Sequence, residues 1–319
     1  MAAEGGNNIV RYTYTGAEGE VIPYEATHIT IADCTLVRAW EFLLNENIVE
    51  IICHDGVEKI EKGAFVECPN LRRVIMPGVK ILEAQVFGDC PALTDVECGK
   101  LEIIGDSAFH NCESLRSINL PSARTVEEYA FDGCNVLTDV QFGRNLERIE
   151  ESAFYNCESL VRITIPLRDG IITTDDIFQE CGKLNQVDLV DGELLHETIA
   201  ALYLEEWRNE MNNEIDAINR ILPSVDDGGW DGDDDPDYGK AATIGGWIIV
   251  VLRKINHYKT EHQRMLGEAG SSLQHVLPHD IVMNNVVPFL ELPPHTFEVE
   301  DPGTDDQEDD SEDEEDMEE

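Results

Sequence analysis

The chain has 319 residues, 42% of them hydrophobic, and a formal net charge of −44. That is enough apolar material for a core, but so acidic a surface repels phosphate backbones, which excludes direct DNA or RNA binding and favours basic protein partners. Met1 to Gly6 lacks the charged and apolar regions of a secretory leader, and the most apolar run, Ile244 to Leu252, is under half of the ~20 residues that span a bilayer. The sequence therefore predicts an intracellular protein, cytoplasmic or nuclear, with no membrane span.

Residues 1–24 are polar and Gly-rich, with one strand-like run from Ile9 to Tyr14. From 57 to 190 the chain repeats itself. Phenylalanine recurs at Phe65, Phe87, Phe109, Phe131, Phe154 and Phe178, at intervals of 22, 22, 22, 23 and 24 residues. Three positions after each comes a cysteine (Cys68, Cys90, Cys112, Cys134, Cys157, Cys181), and three after that a leucine (Leu71, Leu93, Leu115, Leu137, Leu160, Leu184). A β-branched residue follows at Val74, Val96, Ile118, Val140, Ile163 and Val187. Six copies in register are a solenoid, because one unit cannot bury its apolar columns and stacked neighbours can. Phe, Cys and Leu at i, i+3 and i+6 predict a short 3₁₀ or α turn. The alternation behind the leucine predicts a short strand, ended by Pro77, Pro121 and Pro166 or by Gly99 and Gly143. A further apolar pair precedes each phenylalanine, as in Leu101/Ile104.

Sliding the pattern back by 23 places Val37, Phe42, Ile48, Ile51 and Cys53 in the same columns, so residues 25–56 read as a degenerate N-terminal cap and make seven units in all. Phe42, at the end of the array, is expected to have one ring neighbour only. The array ends near Val190, where the pattern loosens at Thr173 and Ile177. Stacking would bring the column cysteines within roughly 5 Å of one another but pointing the same way, poor geometry for a disulfide, so they are expected to be buried thiol filler.

The pattern resembles the BspA-like (Treponema-type) leucine-rich repeat. It stands as Ile60…Ala64-Phe65…Cys68…Leu71…Val74…Met76-Pro77 and again as Val126…Ala130-Phe131…Cys134…Leu137…Val140…Phe142. The resemblance covers roughly half of the chain. It implies a repeat of short strand plus helical or 3₁₀ turn and a role in interaction rather than catalysis. It also implies that two outward columns line the concave face and bind protein. The first is Arg73, Asp95, Ser117, Asp139, Arg162 and Gln186; the second is Ile75, Glu97, Asn119, Gln141, Thr164 and Asp188. Their mixed charge and lack of aromatics display no hot-spot cluster.

After the array the apolar period becomes helical. Leu204, Trp207, Met211, Ile215, Ile218 and Leu222 form one stripe, ended by Pro223; Ile244, Ile248, Val251, Ile255, Tyr258, His262 and Met265 form a second with coiled-coil spacing. They predict an α-helical hairpin across an acidic loop, 223–239, within a helical module of residues 191–297 that also holds a short helix from Ile281 to Val287. The hairpin seam offers a route to self-association. Residues 298–319 hold 15 acidic side chains and no Lys or Arg, which predicts a disordered tail. In it Ser311, ahead of Glu312-Asp313-Glu314, resembles a casein-kinase-type phosphosite.

Chemical motifs fail on their spacing. The aspartates from Asp231 lack the glycine and glutamate of a calcium loop, with Pro236 and Ala242 in their places. Gly239-Lys240 is followed by Ala241 where a phosphate loop needs Ser or Thr. His275 and His279 are separated by Pro278. No catalytic residue, cofactor or metal is expected. The sequence predicts a non-enzymatic scaffold; the alternatives are an acidic-tailed nuclear histone-binding chaperone and an enzyme whose site the sequence does not display.

Overall fold

A computed structural model describes residues 9–190 and 239–273, together with Asn213, Ile218 and Leu222. Among them fifteen strands follow in chain order. They are β1 (Arg11–Tyr14), β2 (His28–Ile31), β3 (Leu36–Val37), β4 (Glu50–Cys53), β5 (Lys59–Ile60), β6 (Arg73–Ile75), β7 (Ile81–Leu82) and β8 (Asp95–Glu97). Then come β9 (Ile103–Ile104), β10 (Ser117–Leu120), β11 (Thr125–Val126), β12 (Asp139–Phe142), β13 (Arg148–Ile149), β14 (Arg162–Pro166) and β15 (Gln186–Val190). Helix α1 spans Gly239–Leu273.

The strands form two sets of parallel ladders, the arrangement that a chain passing the same way once per turn must adopt. The longer strands pair in the orders β1-β2-β4-β6-β8 and β10-β12-β14-β15. The two-residue strands before each phenylalanine, which the sequence marked only as an apolar pair, make a sheet of their own, β13-β11-β9-β7-β5-β3. Register keeps equivalent columns opposite each other: Val37 pairs Ile60 and Ile51 pairs Val74, so the degenerate unit stacks as a repeat.

Between the two strands of each repeat the expected short turn takes the form of successive i→i+3-bonded turns rather than a helical segment. Cys112 N–H donates to the Phe109 carbonyl at 3.2 Å and Leu115 N–H to Cys112 at 3.0 Å, each an i→i+3 bond. Two residues before and after each central phenylalanine the backbone is left-handed, as at Ser107 and Asn111 (both φ 54) and at Gln85 (58) and Asp89 (55). That conformation costs of order 1–3 kcal/mol for a residue with a Cβ. What offsets it is a third ladder: Ser107, Phe109 and Asn111 donate their N–H groups to the carbonyls of Glu128, Ala130 and Asp132 in the next repeat, at 2.8–2.9 Å. A continuous 3₁₀ or α turn would point those donors along its own axis instead.

The columns form the core. The six repeat phenylalanines are fully buried and stack with centroids 5.2–5.8 Å apart and planes within 22°. Phe42 continues the stack at 4.8 Å from Phe65. It does not end it, contrary to the sequence expectation, because Tyr14 on β1 packs edge-on against it at 5.2 Å. The column cysteines are buried thiols, yet more than filler. Each Sγ–H donates to a phenylalanine carbonyl of the preceding repeat, Cys134 to Phe109 at 3.2 Å and Cys112 to Phe87 at 3.3 Å.

By contact the chain divides into residues 1–252 and 253–319. In the first unit, the start of α1 lies against the last repeat. Lys240 is fully buried and its Nζ donates to the Cys181 carbonyl at 2.6 Å, while a Cβ on Gly245 would touch Ile172. Ala241, Ile244, Ile248 and Val251 are the buried stripe of this segment. Of the second unit, Arg253 to Leu273 is described and helical, and Ile255 is buried. Asn213 and Ile218 are helical, and Ile218 and Leu222 are buried. The rest of the first predicted helix, residues 223–238 of the acidic loop, the helix from Ile281 and the tail with Ser311 lie outside the described residues. So do the side chains of Tyr258, His262 and Met265.

Candidate protein-binding face

Strand alternation decides which side chains reach solvent. In β10 the pattern is exposed, buried, exposed, buried, with Ile118 and Leu120 inward and Ser117 and Asn119 outward. Parallel pairing carries that alternation along each of the two long-strand ladders and sets the predicted face residues in register within each. Arg73 stands opposite Asp95 and Ile75 opposite Glu97. Ser117 stands opposite Asp139 and Asn119 opposite Gln141. Asp139 and Gln141 face Arg162 and Thr164, which face Gln186 and Asp188. None of these side chains is buried.

The rows are not independent solvated groups. Arg73 lies between two carboxylates on neighbouring rungs, Nη2 at 2.7 Å from Glu97 and Nη1 at 3.5 Å from Glu50. The hydrogen bond that Arg73 donates to Glu97 does most to raise the guanidinium's pKa. Arg162 is placed likewise, Nε at 3.4 Å from Asp188 and 3.8 Å from Asp139, with Nη2 donating to Gln186 at 3.1 Å. Such exposed pairs are worth about 0–1 kcal/mol each, so their effect is to order the surface rather than to hold the fold. Glu50 is the one member that counting from repeat cysteines misses. Its signal was available, since the 23-residue slide puts it in the column of Arg73.

Between the two arginine clusters the ladder is interrupted: β8 ends one sheet and β10 begins the next. Val96 is half-buried there, whereas its column mates are fully or nearly fully buried. The short-strand ladder runs on unbroken, Ile103 opposite Thr125. The middle of the face thus presents Asp95, Ser117 and Asn119 beside a break in backbone pairing. Chemically it offers carboxylate and amide acceptors to a donor-rich, cationic partner. Among the described residues no three His, Cys, Asp or Glu side chains gather as a metal ion requires, and no helix is long and apolar enough to cross a membrane.

The family model described as BspA type Leucine rich repeat region matches residues 40–126 and 102–199, in six copies. No curated protein sequence matches the chain. Among solved structures, a leucine-rich repeat protein of T. pallidum is similar at 19% identity and TM-score 0.43, over 63% of this chain and 86% of that one. A leucine-rich repeat protein from Bacteroides ovatus is similar at 18% identity and TM-score 0.38, and this chain spans 53% of its length with 53% of its own. Human 5T4, a trophoblast glycoprotein, is similar at 12% identity and TM-score 0.33, over 54% of this chain and 71% of that one.

Proposed function

We propose that this chain, which belongs to the BspA-type leucine-rich repeat family, is an intracellular, non-enzymatic interaction scaffold whose long-strand face recognises a basic protein. One observation carries the reading: the outward positions, none of them buried, lie in register within each of two backbone ladders, with both arginine clusters already ordered. A surface whose side chains are held before binding loses less entropy on association. The charge of −44 supports a basic partner, attracted at long range. Use of the column thiols as hydrogen donors supports a reducing compartment, where that form persists.

The test uses the centre of the face, where Asp95 and Asn119 are members of none of the arginine ion pairs. Asp95→Arg with Asn119→Arg in the full chain should leave circular dichroism unchanged and abolish recovery of whatever protein the wild type purifies. Undiminished recovery by the folded double variant would remove this face from the function.

A further inference from the structure

The turn of the capping repeat differs from those after it in what it shows to solvent. At the left-handed position two residues before the column phenylalanine, later repeats carry Gly63, Gln85, Ser107, Tyr129 or Ser152; the cap carries Trp40 (φ 60). Two residues after the phenylalanine, later repeats carry acidic residues, asparagine or glycine; the cap carries Leu44 (φ 58). Trp40, Leu43 and Leu44 are 45%, 40% and 55% exposed. Packing accounts for part of Trp40, whose ring covers Gly63 closely enough to exclude any Cβ there. It does not account for three large apolar side chains crowded outward on one turn, two of them in a backbone state costly to residues with a Cβ.

Of the three, Leu44 lines a groove, whereas Trp40 lies over Gly63 with Lys62 Nζ 6.0 Å from its ring centroid. From Leu44 a depression of about 640 Å³ runs across the next three repeats past Pro69 and Pro91, walled by Glu46, Glu67, Asp89 and Glu113. Among the described residues none of these four carboxylates has a cationic partner within ion-pair distance; Asp89 accepts one hydrogen bond, from Asn111 Nδ2 at 2.9 Å. This sets the groove apart from the long-strand face, where carboxylates meet arginines. The carboxylates are spread along the repeats and gather no metal-binding group. A second copy of a chain carrying −44 has the wrong sign to fill it.

We infer that this groove is a second docking site, and that it takes an extended segment of a basic protein. An aliphatic or aromatic side chain of that segment sits on Leu44 at the head of the groove, and its Lys or Arg side chains lie along Glu67, Asp89 and Glu113. An exposed leucine in a left-handed turn gives the segment an apolar anchor, and the carboxylates that follow it along the groove select cationic side chains beyond that anchor. Repeats stacked at strand spacing make the groove long enough for about five extended residues.

The probe is a fluorescein-labelled peptide, Phe-Leu-Lys-Ala-Lys-Ala-Arg, titrated by anisotropy into the full chain at near-physiological salt. Control peptides replace Phe-Leu by Ala-Ala, or the cations by Glu. Saturable binding is expected, weakened at least tenfold by Leu44→Ser, by the triple variant Glu67→Gln, Asp89→Asn, Glu113→Gln, and in each control peptide. A second triple variant, Glu102→Gln, Glu128→Gln, Glu151→Gln, removes as much charge elsewhere and should change affinity less than twofold. Equal weakening by the two triple variants would reduce the effect to diffuse charge and overturn the proposal. So would the absence of saturation, or full affinity in Leu44→Ser. A dimer that Leu44→Ser dissolves in sedimentation would assign the patch to a second copy instead.

Discussion

The column cysteine is the residue at which two demands meet. The site must be small and apolar enough to sit fully buried between repeats, and the phenylalanine carbonyl of the preceding repeat, which already accepts a backbone N–H, takes a second hydrogen from the thiol there. Cys134→Ala keeps the first and loses the second, so its cost should be about 1 kcal/mol by denaturant unfolding. Cys134→Asp buries a charge without a partner and should prevent folding. Burial pushes the Cys98 thiol up to about 12, and raises Cys112 and Cys134 as well. In native protein a thiol reagent should therefore find the half-buried Cys34 first, with all nine released on denaturation. His110 supplies a pH-dependent counterpart. Its Nδ1 lies 3.1 Å from the Asp132 carboxylate, which raises the pKa above the ordinary 6.5; burial opposes this, and Asp89 and Asp106 add to it. A folded-state pKa above the unfolded one gives stability that is complete below the unfolded value and lost as pH rises through the folded one. Asp132→Asn should thus lower the denaturation midpoint at pH about 5.5 and leave it nearly unchanged at about 8.5. An NMR titration placing His110 at or below its ordinary value would contradict this.

At the scale of elements, the sequence displayed whatever depends on a side chain and hid whatever depends on backbone or on register. Phe, Cys, Leu and Val columns were legible because stacking requires the same shape at each turn. The left-handed positions were not: Gln85, Ser107 and Tyr129 share no side-chain property that reports φ, although Asp89, Asn111, Gly133 and Asn156 on the other side of the phenylalanine are types that tolerate it. Tyr14 was missed as a member of the ring stack because it differs in residue type and precedes Phe42 by more than one repeat length. The face rows were legible in position, but the ion pairs of Arg73 and Arg162 join residues on separate rungs and became visible only with the pairing. Tyr14 also changes an expectation. Phe42 has a ring on either side, as Phe109 has, so Phe42→Ala and Phe109→Ala should each cost ~3–5 kcal/mol rather than differ as terminal and internal positions. A markedly smaller loss at Phe42 would mean that β1 contributes little to the array. The other end makes a parallel case. Without α1 the last repeat loses the Lys240 bond to Cys181 and the close approach of Gly245 to Ile172, next to an array whose last described strand, β15, already pairs on one side only. A fragment ending at Val190 should aggregate, and Lys240→Glu, which turns a buried donor into a buried carboxylate, should lower Tm by many degrees in the full chain. A soluble, monomeric fragment 1–190 would show the array closed without the helix.

At the scale of the whole molecule, charge and shape act over different distances. On the proposed reading, the 15 carboxylates of residues 298–319 would attract a basic partner from afar and with little regard for its sequence, whereas the strand-face rows and the groove at Leu44 would act only on contact. The first effect belongs to association rate and the second to dissociation rate. Screening separates them, since the Debye length falls to about 8 Å at physiological ionic strength and further above it. For a basic partner held by the face, deleting residues 298–319 should therefore slow association several-fold at low salt, leave it nearly unchanged at high salt, and alter dissociation at neither. Asp95→Arg with Asn119→Arg should speed dissociation at both. These positions serve better than Arg73→Glu, which would set a third carboxylate beside Glu50 and Glu97 and break the rung along with any recognition. If the tail deletion alone abolished binding and the face variant changed nothing, the acidic tail would be the recognition element and the array its carrier. Surface-based kinetics with full-length, tailless and face-variant chains at two salt concentrations decide between the two, because the tail and the face predict losses in different rate constants.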